Sequence, residues 1–68
     1  MTVGSNVKQT LSSLRGVRGT LEIYAAQTRD EQTRSAYKEA LQTVSGIIHD
    51  VENRLKAIEF EEPQYKGF

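Results

Sequence analysis

The chain has 68 residues, 37% hydrophobic and 26% charged, with one proline, no cysteine, no tryptophan and a formal net charge of zero. This composition excludes disulfides and thiolate metal sites, and no apolar run approaches the ~20 residues of a membrane span. It predicts one small, all-helical, water-soluble domain held by packing alone, without the dominant basic field that draws a protein to nucleic acid or acidic lipid.

The first element is a helix over residues 3–28. Val7, Leu11, Leu14, Arg18, Leu21, Ala25 and Thr28 follow one another at alternating spacings of four and three, which puts them on one stripe of a helix, the seam of a coiled coil or narrow bundle. Thr2 or Ser5 is the expected N-cap. The opening Met1-Thr2-Val3-Gly4-Ser5-Asn6 lacks the basic and apolar regions of a secretory signal, so a protein that stays inside the cell is expected. Gly16 and Gly19, with Ser12, Ser13, Thr20 and Ala26, give this helix an outer face of low relief. Close packing in an oligomer and a kink near Gly16 are both open readings, since each mid-helix glycine costs roughly 1 kcal/mol relative to alanine.

A turn is expected over residues 28–31. Thr28-Arg29-Asp30-Glu31 carries the capping-box spacing of Thr followed three residues later by Glu. A second helix over 31–60 repeats the seam with Tyr37, Leu41, Val44, Ile48, Val51, Leu55 and Ile58. The register supports the turn. Continuing the first phase past Thr28 meets Gln32, Ser35, Glu39 and Gln42, all polar, although a stutter in one long helix is the alternative. Folding back about residues 29 and 30 pairs Leu21 with Tyr37, Leu14 with Val44 and Leu11 with Ile48. The two halves carry formal charges of +3 up to residue 29 and −3 thereafter, so they attract. The expected fold is an all-α antiparallel two-helix hairpin over residues 1–62, followed by an extended tail over 63–68 beginning at Pro63.

The flanks of the seam differ. On one, Lys8, Arg15 and Glu22 face Lys38, Ser45, Glu52 and Glu59, with Lys8 expected near Glu52 and Glu22 near Lys38. On the other, Thr10, Val17 and Tyr24 meet Ala40 and Ile47, a stripe wider than two helices cover. Val17, Tyr24, Ala40 and Ile47 are therefore the expected self-association residues. A homo-oligomer is expected, with a dimer forming a four-helix bundle favoured, because two helices without a disulfide or metal bury little surface. A different protein or the chain's own tail are the alternative covers.

Candidate chemistry is sparse. Arg15-Gly16-Val17-Arg18-Gly19 has the spacing of a Gly-x-x-Gly nucleic-acid clamp, but that loop belongs to a mixed sheet fold, and helical phase continues on both sides here. A basic first helix bearing Lys8, Arg15, Arg18 and Arg29 is nevertheless the alternative functional surface. His49 is the sole histidine; a bundle metal site needs Glu-x-x-His, and position 46 is glycine. No nucleophile, base and acid converge, so no enzyme, metal or cofactor is expected. In the tail, Tyr65 and Phe68 are candidates for docking onto the bundle or a partner, with a frayed end as the other reading.

Taken together, Met1-Thr2-Val3-Gly4-Ser5, Val7-Lys8-Gln9-Thr10-Leu11, Ser13-Leu14-Arg15-Gly16, Thr20-Leu21-Glu22, Asp30-Glu31 with Tyr37, and Glu61-Glu62-Pro63-Gln64-Tyr65-Lys66-Gly67 resemble a short family of endospore-forming bacteria, domain of unknown function 1657. The resemblance implies a sporulation context: family members are encoded near spore-membrane channel components, and a related domain is fused to spore membrane proteins. It transfers no catalytic or ligand residue. The functional expectation is a noncatalytic, self-associating structural or adaptor component of the spore, located in the cytoplasm of the sporulating cell or the spore interior. A spore membrane protein is the open partner class, with no membrane span expected in the chain itself; the alternative is a nucleic-acid-binding spore protein.

Overall fold

The computed structural model of the chain describes residues 3–61, and within them two helices, α1 over Val3–Gln27 and α2 over Glu31–Glu61, with no strand. The seam read from the spacing is the surface that becomes covered. Val7, Leu14, Arg18, Leu21, Ala25 and Thr28 on one side, and Tyr37, Leu41, Val44, Val51, Leu55 and Ile58 on the other, are half-buried. Leu11 and Ile48, 5% and 2% exposed, are the buried hydrophobic side chains among the described residues. Contacts between α1 and α2 run antiparallel: Arg15 reaches Glu52 at 2.7 Å, Lys8 reaches Glu59 at 3.4 Å, and the Tyr24 and Tyr37 rings lie 5.9 Å apart beside the turn.

The result is a rod of 48 × 16 × 12 Å with a radius of gyration of 15.2 Å, against about 11 Å for a compact domain of this length. One helix of depth leaves two broad faces uncovered. Most domains close such faces with a second layer.

The turn is built differently from the capping box anticipated at Thr28. Asp30 is the N-cap of α2: its Oδ2 accepts hydrogen bonds from the Thr33 amide at 2.9 Å and the Thr33 hydroxyl at 2.6 Å, while its carbonyl accepts from the Arg34 amide at 2.9 Å. These bonds satisfy amide donors that the first helical turn leaves open. Those from Thr33, side chain first and then backbone, hold the Asp30 carboxyl below the usual aspartate range. Thr28 instead closes α1. Its amide and hydroxyl both donate to the Tyr24 carbonyl, at 3.0 and 2.7 Å, and its own carbonyl accepts from Nε and Nη2 of Arg34 at 3.2 and 2.8 Å. One arginine from the first turn of α2 thus satisfies a carbonyl at the end of α1 and locks the two helices at the bend.

α1 runs without interruption through Gly16 and Gly19. Two of its hydroxyl residues back-bond to the preceding turn, Ser13 to the Gln9 carbonyl at 3.2 Å and Thr20 to the Gly16 carbonyl at 3.1 Å.

Candidate functional site

The charged flank closes, but with other partners than level matching suggested. Lys8 pairs with Glu59 rather than Glu52, and Arg15 takes Glu52. The cause is the tilt of every Cα–Cβ bond toward the N-terminus of its own helix. In an antiparallel pair, long charged side chains at equal height lean apart, and those displaced by about two turns lean together. Applied to Glu22, the same displacement selects Ser45, so the anticipated Glu22–Lys38 pair gives way as well. The Arg15 hydrogen bond is the main reason the Glu52 carboxyl lies below the usual glutamate range; the positive charges of Arg15, His49 and Lys56 add to it, and partial desolvation opposes it.

These pairs also redistribute the basic residues. Lys8 and Arg15 face carboxylates, Arg18 is half-buried on the seam and Arg29 is exposed in the turn. A polyanion binding this side would have to displace Glu52 and Glu59. His49 is exposed, its Nε2 3.3 Å from Nδ2 of Asn53 one turn on. Among the described residues there is no group of three or more His, Cys, Asp and Glu side chains arranged to hold a metal ion, and no helix long and apolar enough to cross a membrane. Tyr65 and Phe68 lie outside the described residues.

The opposite flank stays open. Val17, Tyr24 and Ile47 are 49%, 48% and 44% exposed, and Ala40 is half-buried beside them. All four sit one step off the seam, where sevenfold spacing carries the stripe back to Thr10 and Val3 on α1 and on to Arg54 on α2. Val3 is also exposed. Near the free end, Val3, Asn6, Val7, Thr10, Val51 and Arg54 enclose an open groove of about 300 Å³. It adjoins a smaller one of about 220 Å³ bordered by Ile47, Asp50, Val51 and Arg54. Charge is scarce here: from Val3 to Arg54, the charged residues on the stripe and on the row three residues further along are Asp50 and Arg54, spaced to support each other along one helix face.

Sequence reasoning identified the middle of this face and missed its ends. Val3 and Arg54 were recoverable from it, because each lies seven residues from a stripe member, Thr10 and Ile47. Arg34 was recoverable too, lying three residues before Tyr37 in seam phase.

The arrangement has the makings of an association surface, with apolar side chains flanked by small polar ones and little charge. Among the described residues of this face, acid, base and nucleophile do not converge. No curated protein and no solved structure matches the chain. A family model does match residues 7–55, which hold most of both helices and the turn between them, and the chain therefore belongs to the family described as protein of unknown function DUF1657.

Proposed function

We propose that this chain is a noncatalytic, self-associating helical protein that serves as a structural or adaptor component of bacterial spores. The observation that carries the self-association is the asymmetry of the two flanks. One is closed by Lys8–Glu59 and Arg15–Glu52, while the other leaves Val17, Tyr24 and Ile47 about half exposed along one stripe. Covering large apolar side chains contributes on the order of 1.5 to 3 kcal/mol each when burial is complete. A hairpin whose buried apolar side chains are Leu11 and Ile48 has much to gain from a second layer. The spore setting rests on the family resemblance, and a membrane protein of the spore is the partner class it favours.

Native mass spectrometry and light scattering of the purified full chain test the assembly, with a dimer or larger species expected at micromolar concentration. Affinity capture from sporulating cells tests the setting. A well-folded monomer throughout, or capture of nucleic acid in a salt-dependent manner, would overturn this reading.

A further inference from the structure

Building on that self-association, we infer that two copies pack through the open flank about a twofold axis perpendicular to the rod, with Tyr24 of each copy seated in the groove between Val3, Val7, Thr10, Val51 and Arg54 of the other. Two independent features place the axis at the same level. On α1, which spans Val3–Gln27, residue 15 is the midpoint. Tyr24 stands about 13 Å above it and the groove is centred about 13 Å below it, at ~1.5 Å per residue. On α2, Ile47 and the smaller Ala40 are symmetric about the level of residues 43 and 44, which the bend from Gln27 to Glu31 sets opposite residues 14 and 15. Turning a second copy about this level therefore brings Tyr24 onto the groove and Ile47 onto Ala40 in one operation. Knob meets hole twice, as an isologous interface requires.

Size and chemistry agree. The groove holds about 300 Å³, and apolar cavities of about 150 Å³ already admit benzene, so a phenol ring fits. Arg54 at its rim can lie against the ring face, a favourable cation–π contact, while Asn6 and Thr10 offer partners for the hydroxyl. The broad face of the rod, 48 × 16 Å, has a footprint of about 770 Å², close to the ~800 Å² per partner of a stable complex. The competing axis, parallel to the rod, sets groove against groove and leaves both empty.

The test uses the full chain with Tyr24→Ala, which removes the knob, and Thr10→Phe, which fills the hole from an exposed position. Each variant alone raises the dimer dissociation constant at least tenfold, with circular dichroism showing unchanged helix content for Thr10→Phe. Mixing the two restores association, because the heterodimer keeps one intact Tyr24-in-groove contact and opposes alanine to phenylalanine at the other. Native mass spectrometry reads the heterodimer at a concentration where neither variant self-associates. Parental affinity in both variants, or a mixture without heterodimer, overturns this arrangement while leaving self-association standing if the parent is dimeric. A monomeric parent overturns both.

Discussion

Ile47 and Ile48 are chemically identical neighbours that the structure assigns to different environments, 44% and 2% exposed, and alanine at each position separates hairpin stability from assembly. Ile48 lies within the seam. Truncating a fully buried isoleucine costs about 2 to 5 kcal/mol through lost transfer energy and the cavity left behind. Against a total of about 3 to 10 kcal/mol for a chain of this length, Ile48→Ala removes a large share of the stability. Ile47 has only part of its side chain covered within the hairpin. If a second copy covers the exposed 44%, that fraction of a full burial value of about 1.5 to 3 kcal/mol is worth about 0.7 to 1.3 kcal/mol per chain. Counted on both chains, it is a roughly 10- to 80-fold change in dissociation constant. Urea and thermal melts followed by circular dichroism over a hundredfold range of concentration, with native mass spectrometry alongside, read both effects. Ile48→Ala lowers the midpoint at every concentration, whereas Ile47→Ala weakens chiefly the concentration-dependent part. Equal losses at all concentrations, or an unchanged dissociation constant for Ile47→Ala, would refute the division of labour between these two residues.

The cross-helix pairing predicts that Lys8→Glu is destabilising by about 0.2 to 1 kcal/mol, and that Glu59→Lys restores part of the loss in a double-mutant cycle while Glu52→Lys does not. At the turn, Asp30→Ala lowers the melting temperature and Asp30→Ser largely preserves it, since serine still offers an oxygen to the Thr33 amide. Both Asp30 and Glu52 have folded-state pKa values below their ordinary ones, so the stability they contribute is present above the usual carboxylate range, about pH 4, and is lost as pH falls through the folded values. Melting temperature should therefore be flat near neutrality and fall in acid, with a smaller fall in Asp30→Ser. A Cβ built at Gly16 or Gly46 meets nothing within 4 Å, so Gly16→Ala and Gly46→Ala should each stabilise the helix by about 1 kcal/mol. A weakened dimer in either variant would show that a neighbouring chain lies against that face.

Residue spacing alone set the two helices and the face each turns inward. The four-and-three spacing from Val7 to Thr28 and from Tyr37 to Ile58 is a property of one strand of residues, because helical periodicity fixes which side chains share a stripe whatever lies opposite. The same periodicity separated a flank bearing Lys8 and Arg15 from one bearing Val17 and Ile47. What touches what across the two helices was settled by how they pack. Lys8 meets Glu59 and Arg15 meets Glu52 because side chains lean toward the N-terminus of their own helix, a displacement that becomes visible when two antiparallel axes are set side by side. Asp30 takes the cap that Thr28 was expected to provide because Thr28 is held by the Tyr24 carbonyl and by Arg34. That competition between local hydrogen bonds is settled by the bend itself, where the end of one helix and the first turn of the next must be satisfied in the same small volume.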